Sequence, residues 1–211
     1  MTKTVSIIGS KSANITSIRN AFSYLGIDSI VTTSEEIIAN STHIILPGVG
    51  AFDACIDDLN NLSLVPALKN AVLEKSTPIL GICVGMQVLF EGSKEGSSNG
   101  LGLLKGKCTS LKPNFDQMYK VPHTGFAEVH FSKNSRLNKG LRPKEYFYFN
   151  HSYGVLKIQE TKIVDWVRHT ENFVASFQWR NIFGIQFHPE KSQLAGLKVL
   201  SNFVNDDSKI S

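Results

Sequence analysis

The sequence predicts an α/β fold: a three-layer domain with a central, mostly parallel sheet flanked by helices, and additional antiparallel strands in the second half. Three observations carry this. Up to about residue 90, short apolar runs alternate with segments of helical spacing, the pattern of parallel βαβ units. Two of those runs end in glycine-rich turns, Pro47-Gly48-Val49-Gly50 and Cys83-Val84-Gly85, where the carboxyl ends of parallel strands present functional groups. Beyond residue 100 the pattern changes to short runs rich in aromatic and β-branched residues, which suit strands.

The elements follow in order. Val5 to Ile8 is a buried strand. Asn14 to Leu25 places Ile15, Ile18, Ala21, Phe22 and Leu25 at helical spacing, and Gly26 ends the helix. Ser29 to Thr32 is the second strand and Glu35 to Ala39 a short helical turn. His43 to Leu46 is the third strand, closed by Pro47-Gly48-Val49-Gly50. Ala51 to Leu59 and Val65 to Glu74 read as helices, and Ile79 to Ile82 as the fourth strand. A helix-like pattern then carries Met86, Val88, Leu89 and Phe90. The polar stretch from Glu91 to Gly100 is rich in Gly and Ser. It has the composition of a linker, but strand patterns resume after it, so residues 1–211 read as one domain. The β patterns are Lys107 to Leu111, Val121 to Phe131, Tyr146 to Asn150, Ile163 to Arg168, Val174 to Gln178 and Ile182 to Phe187. Leu194 to Val204 closes the chain as a helix with Leu194, Leu197, Leu200 and Val204 on one stripe.

Composition narrows the function classes. With 211 residues the chain is long enough for one domain with a substantial core. The formal charge of +4 is spread along the chain without a basic block or Arg-rich helix, so nucleic acid is not an expected partner. No apolar run approaches membrane-spanning length, and Met1 to Gly9 reads as the lead into a strand, not as a leader peptide. Cys55, Cys83 and Cys108 are too few and too scattered for a disulfide framework or a zinc site. A reducing cytoplasm is the simplest home, and no metal or cofactor is expected.

The chemistry concentrates in two motifs. Ile79-Leu80-Gly81-Ile82-Cys83-Val84-Gly85-Met86-Gln87 is a strand, a tight turn and a helix start with a thiol at the turn. A nucleophile on such an elbow needs a sharp backbone bend, and Gly81 and Gly85 let the chain pass close to itself. The helix start directs free N–H groups at the sulfur, which favours thiolate. The plainer possibility is a buried cysteine in a sheet core. Phe187-His188-Pro189-Glu190-Lys191 supplies a base, because a thiol needs a group to take its proton. Pro189 favours an extended His188, and in extended chain Glu190 falls on the same side as the imidazole. Glu190 can then fix the tautomer of His188 and favour its charged form. Cys83, His188 and Glu190 make a triad of activated-nucleophile type. The plainer possibility here is a capping histidine with a first-turn carboxylate.

On these two motifs, together with Leu46-Pro47-Gly48-Val49-Gly50-Ala51-Phe52, Gly100-Leu101-Gly102-Leu103, Lys120-Val121-Pro122-His123 and Tyr146-Phe147-Tyr148-Phe149-Asn150-His151-Ser152-Tyr153, the chain resembles class I glutamine amidotransferases. More narrowly it is similar to the glutaminase subunits of imidazole glycerol phosphate synthases, whose loop matches Pro47-Gly48-Val49-Gly50. The resemblance implies that Cys83 attacks the side-chain amide of glutamine. His188 then serves the leaving ammonia and the incoming water, and Glu190 orients His188. It implies oxyanion donors at Val84 and in Gly48-Val49-Gly50, where a peptide turns its N–H inward. It implies glutamine contacts at Gln87, Glu95, Ser152 and Tyr153. It further implies a heterodimer with a separate (β/α)8-barrel cyclase subunit that receives the ammonia, with Asn14, His123, Tyr148 and Lys191 toward that partner.

Two segments depart from the family pattern. Gly9-Ser10-Lys11-Ser12-Ala13-Asn14 keeps only the Asn of Asp-Tyr-Gly-x-Gly-Asn, and Pro122-His123-Thr124-Gly125-Phe126-Ala127 stands for Pro-His-Met-Gly-Trp-Asn. These leave open a paralogue that feeds ammonia to a different synthase, for example one that amidinates a surface sugar. A stand-alone γ-glutamyl hydrolase and a non-catalytic binding subunit are also compatible with the frame. Against the binding subunit, all three triad residues are present.

Overall fold

The computed structural model describes residues 3–11, 13–114, 119–132, 134–169 and 171–205. Met1, Thr2 and Ser12, which belong to the two N-terminal stretches quoted above, lie outside them.

Nine strands form one sheet in the order β2-β1-β3-β4-β12-β11-β10-β7-β8. Its first half is parallel: β1 (Val5–Ile8), β2 (Ser29–Thr32), β3 (His43–Gly48), β4 (Ile79–Cys83) and β12 (Ile182–Ile185). Its second half is antiparallel, through β11 (Asn172–Trp179), β10 (Val164–Arg168), β7 (His123–His130) and β8 (Lys144–His151). A small three-stranded sheet holds β5 (Gly92–Ser93), β6 (Lys107–Ser110) and β9 (Tyr153–Gly154). β1, β3, β4 and β12 are buried along their whole length, as parallel strands covered on both faces must be.

The helices cover this sheet with their apolar faces. Helix α1 (Ile15–Tyr24) buries Ile18, Ala21 and Phe22 and stops at Gly26, whose φ of +65° suits glycine. Helix α2 (Glu35–Ala39) is capped by Ser34, whose hydroxyl accepts from the Ile37 N–H. Helix α3 (Phe52–Asn61) buries Phe52, Cys55, Ile56 and Leu59. Strand β8 is two-faced: Phe147 and Phe149 are fully buried, whereas Tyr146 is 55% exposed. The period of two thus divides the aromatic run between core and surface.

The structure corrects several sequence expectations. The helix after Cys83 is a single turn, α5 (Val84–Gln87), and Val88 to Phe90 leave it as an irregular turn. Met86, Val88, Leu89 and Phe90 are all fully buried, so their apolar run marks burial on every side, not one helical stripe. The chain folds back over them through Leu101 N–H to Val88 O at 2.7 Å and Leu103 N–H to Leu89 O at 2.9 Å. The helix expected over Val65 to Glu74 is α4 (Leu64–Lys69) continued by a π-helical turn, Asn70–Glu74. In the final helix, α6 (Gln193–Asn205), Leu194 is 74% exposed and Leu197 half-buried. Gly196 sets this rotation: a methyl there would lie 2.0 Å from the Pro189 carbonyl oxygen, so the helix rests on that side and buries Val199, Leu200, Phe203 and Val204. The Gly/Ser-rich stretch from Glu91 to Gly100 packs into the fold, in keeping with its reading as part of one domain. Its β5 joins a sheet, and its Ser97 and Ser98 N–H groups both donate to Asp53 of α3. These bonds hold the Asp53 carboxyl below the usual carboxylate range.

Candidate active site

The site is assembled where β3, β4 and β12 end side by side. Cys83, the last residue of β4, has φ 55° and ψ −113°. That left-handed bend strains a residue with a side chain, and only close backbone packing can impose it. The packing is supplied by glycine. A methyl on Gly85 would lie 1.9 Å from the Leu46 carbonyl oxygen, and one on Gly81 2.6 Å from the Gly85 oxygen. Gly48, paired in register with Cys83, lies against the same turn, and a methyl there would come within 2.5 Å of the Gly85 nitrogen. The strand end that carries Gly48 is therefore pressed onto the first residues after the thiol.

β12 lies next to β4, so the residues that follow it reach the thiol. His188 is extended, with φ −96° and ψ 99°, and Pro189–Lys191 then forms a 3₁₀ turn. The reach of Glu190 comes from that turn rather than from extended chain: its Oε1 lies 2.9 Å from His188 Nδ1. His188 stands at the N-cap position of this turn, but its side chain makes no cap bond there and pairs instead with the first-turn carboxylate of Glu190. The backbone of His188 is held on both sides. Its N–H donates to the Tyr148 carbonyl at 2.8 Å, and its carbonyl accepts from Ser192 Oγ at 2.6 Å.

Burial alone would push the His188 imidazole down, but hydrogen bonds and charge from Cys83 and Glu190 outweigh it and lift its pKa to about 10. This arrangement favours the imidazolium form of His188 at neutral pH. Cys55 and Cys108 are different: burial pushes each thiol up to about 12, with smaller contributions from nearby acidic groups. Among the three cysteines only Cys83 opens onto the cleft described next.

That cleft has a volume of about 300 Å³. Cys83 and His188 line it, and so do nine residues expected from the sequence: Val49, Gly50, Val84, Gln87, Glu95, Ser152 and Tyr153, with Asn14 and Lys191. Gly50 has φ +84° and open space around it. Gln87 is buried, and its Nε2 donates to the Tyr153 carbonyl at 2.9 Å, holding that wall in place. Glu95 Oε2 accepts from the Phe52 N–H at 2.9 Å, which ties its loop to the start of α3. Gly48 and Glu190 support the site from behind. Tyr148 and His123 stand outside the cleft lining. Tyr148 lies on the outer face of β8 with Lys191 Nζ over its ring, 5.4 Å from the centroid. His123 pairs in register with His151, and its ring packs against Phe149, Phe173, His151 and His169.

Four residues at the site were not expected from the sequence. Asn150 and His151 line the cleft, and the Asn150 carbonyl lies 4.0 Å from Cys83 Sγ. Ser192 links His188 to the Tyr148 N–H, which donates to its Oγ at 2.9 Å. Gln186 is fully buried, with its Nε2 3.7 Å from Cys83 Sγ. Gln186 carried a usable signal, because it stands two residues before His188 at the end of an apolar strand. Asn150 approaches through its backbone from chain far away in sequence, which no local pattern records, whereas Ser192 stands only four residues after His188. Among the described residues no cluster of His, Cys, Asp and Glu is placed to hold a metal ion.

Comparison with known proteins agrees with this geometry. The model of the glutamine amidotransferase class-I family matches residues 7–206. The imidazole glycerol phosphate synthase subunit HisH 2 of Methanococcus maripaludis is 38% identical over 200 residues, covering 95% of this chain and 98% of the relative. The subunit HisH of Zymomonas mobilis is 41% identical, with coverages of 96% and 95%. Among solved structures, a glutamine amidotransferase superposes with a TM-score of 0.72 at 15% identity, over 94% of this chain and 96% of that one. PurLQS from Thermotoga maritima gives 0.68 at 19% identity, over 97% and 99%, and at such identities both speak for the fold. The chain belongs to the class I glutamine amidotransferase family.

Proposed function

We propose that this chain is the glutaminase subunit of an imidazole glycerol phosphate synthase. It hydrolyses glutamine to glutamate and ammonia and passes the ammonia to a separate (β/α)8-barrel cyclase. The carrying observation is the strained Cys83 turn beside a His188–Glu190 pair at the floor of one cleft. The names of the relatives, matched over nearly their whole length, supply the pathway.

Cys83 Sγ attacks the side-chain amide carbon of glutamine. The oxyanion that forms is met by the Val84 N–H and by a peptide of Gly48-Val49-Gly50, whose strand lies directly beside the thiol. His188 protonates the departing ammonia, leaving a γ-glutamyl thioester. His188 then takes a proton from water, which attacks the thioester and expels the thiolate. Glu190 holds the imidazolium in place. Gln87, Glu95, Ser152 and Tyr153 bind the amino-acid end of glutamine in the cleft.

Residues 1–211 act as one domain, and the acceptor chemistry belongs to the partner. The outer face of β7 and β8 suits that partner. Phe126 is 51% and Tyr146 55% exposed, with Leu194 of α6 at 74%, and these three line one groove of about 470 Å³. Phe126 and Tyr148 are register partners whose rings meet edge to face, which joins this groove to Lys191 at the cleft. Asn14 is a further cleft residue on the partner side. His123 serves that side by holding β7 against β8. No described helix is long and apolar enough to cross a membrane, and three buried free thiols fit a reducing cytoplasm.

The test is glutamine hydrolysis by the chain alone, with its genomic neighbour barrel protein, and with that protein plus acceptor. Stimulation by the imidazole-forming ribonucleotide is the expected result. Stimulation only by a sugar-modifying synthase would assign the chain to a paralogous pathway, and full activity alone would make it a free hydrolase.

A further inference from the structure

Cys83 has a polar neighbour that the triad does not use. Gln186 is 0% exposed and lies just past the end of β12, its backbone N–H fixed to the Ala175 carbonyl at 2.8 Å. Its Oε1 accepts from Gln87 Nε2 at 3.1 Å, and its Nε2 lies 3.7 Å from Cys83 Sγ. The amide orientation follows from donor and acceptor matching. Gln87 Nε2 also donates to the Tyr153 carbonyl, so Gln87 presents a donor to Gln186, which must answer with its oxygen. The Gln186 nitrogen is left facing the sulfur. A buried N–H needs an acceptor, and a thiolate is a far better one than a thiol.

The geometry points to Gln186 as a further catalytic residue of the glutaminase reaction, one whose side-chain N–H stabilises the Cys83 thiolate while its carbonyl fixes Gln87 and, through it, the cleft wall at Tyr153. This rests on the reading of Cys83 as the nucleophile. The bond matters twice. It favours the thiolate that attacks the amide, and it receives the thiolate that water later expels from the thioester. In between, the thioester sulfur is neutral and the bond is weak, so the contribution falls on the charged states flanking each chemical step.

Other groups around the sulfur are charged or titratable, and the test must separate them. After β12 stand His188, Glu190 and Lys191. From β8 comes His151, which burial keeps neutral near pH 7. The loop after β5 carries Glu95, and α3 presents Cys55 with Asp58 beside it. All of these remain when only Gln186 is changed.

The experiment is alkylation of the full chain by iodoacetamide across pH 5–10, with modified Cys83 quantified in its peptide, on the unmodified chain, Gln186→Met and Gln186→Glu. Gln186→Met keeps the length but removes the donor, and the expected result is a profile displaced upward by about one pH unit, the size of one hydrogen bond to a charged group. Gln186→Glu keeps the shape and an acceptor for Gln87 but sets a carboxylate on the sulfur, so its displacement should be larger. If Gln186→Met does not fold, Gln186→Glu answers in the same direction. Superimposable profiles would overturn the assignment, because a packing role lowers stability without moving the pH dependence. Glutamine turnover by Cys83→Ala, measured alongside, shows separately whether the nucleophile itself is misassigned.

Discussion

At the scale of single residues, the thiols differ by environment rather than by type. Cys83 bends at the floor of a cleft, while Cys55 and Cys108 are enclosed in the core with thiols lifted to about 12. A glutamine-like electrophile should therefore label Cys83 alone, read by peptide mass. Cys83→Ala should lose turnover while its melting temperature stays within a few degrees, since the substitution removes only one heavy atom from a buried position that lines a cleft. Labelling of Cys55 or Cys108 to the same extent would count against this assignment. The two other triad positions should separate as well. In the proposed mechanism His188 moves protons, whereas Glu190 acts through it, so His188→Asn should lower kcat by more than Glu190→Gln. The latter retains a hydrogen bond to Nδ1 but loses the charge that keeps His188 protonated, with a loss on the order of 10²–10⁴ in kcat. Equal and mild losses in steady-state kinetics would mean that Cys83 has another base.

At the scale of elements, Gly85 of the elbow and Gly50 of the loop after β3 should respond to the same methyl for different reasons. Gly85 is a contact glycine: added carbon would meet the Leu46 carbonyl at 1.9 Å, so β3 and the turn after Cys83 must separate. Gly85→Ala should cost about 1–3 kcal/mol by overpacking, several degrees of melting temperature, and disrupt the site as well. Gly50 is a conformational glycine, with φ +84° and nothing around it to strike. Gly50→Ala should cost only about 1 kcal/mol of backbone strain, yet slow glutamine hydrolysis through the mobility of the oxyanion strand. Differential scanning calorimetry with an ammonia assay distinguishes the pair, and equal losses of stability would contradict this division. The β7–β8 ribbon obeys a similar split between faces. Its inner residues hold the aromatic core, so Phe126→Ser on the outer face should weaken binding of the proposed barrel partner in titration while leaving the melting temperature nearly unchanged.

At the scale of the whole molecule, buried histidines set the pH range of stability. His151 Nδ1–H donates to the Tyr153 carbonyl, and its Nε2 accepts from His123 Nδ1–H at 3.3 Å, a network that needs the His151 ring neutral. Burial and the neighbouring His169 push His123 down to about 4. Burial also pushes His151 down to about 3, against its bond to Tyr153. The unfolded chain then binds protons that the folded chain refuses. Their contribution is full above the ordinary histidine value near 6.5 and is lost as pH falls through about 4 and about 3. Asp165, raised to about 6 by burial, works in the opposite sense over a narrower interval. His188 governs the alkaline side: its contribution is full below 6.5 and is lost as pH rises through about 10. Stability from urea melts should thus fall by more than about 1 kcal/mol between pH 7 and pH 4, and less in His123→Phe. A flat profile would refute the neutral network. The same scale holds the coupling to the partner. If the Gly48-Val49-Gly50 peptide turns its N–H inward only in the complex, the isolated chain lacks one oxyanion donor, and partner plus acceptor should raise turnover by about 10²–10³.

The sequence by itself determined the α/β class, the order of the strands along the chain and the three residues of the proposed triad. Those are local records: alternating apolar runs, glycines around one cysteine, and a histidine two residues from a glutamate. Period-2 and period-3.6 patterns arise from each element's own geometry, so they survive without knowledge of neighbours. What lay beyond the sequence was decided by contacts between distant segments. Leu194 reads as core by spacing, yet the closeness of Gly196 to Pro189 turns it outward. Val88 to Phe90 read as helix, yet residues 101–104 fold onto them and bury a turn instead. Gln186 faces Cys83 only because β12 adds to the sheet beside β4, a pairing between residues about 100 apart in the chain. Its amide points at the sulfur only because Gln87 answers from a third segment. A hydrogen-bond direction of that kind is a property of the packed interior, where each donor must find its acceptor, and no stretch of sequence contains it.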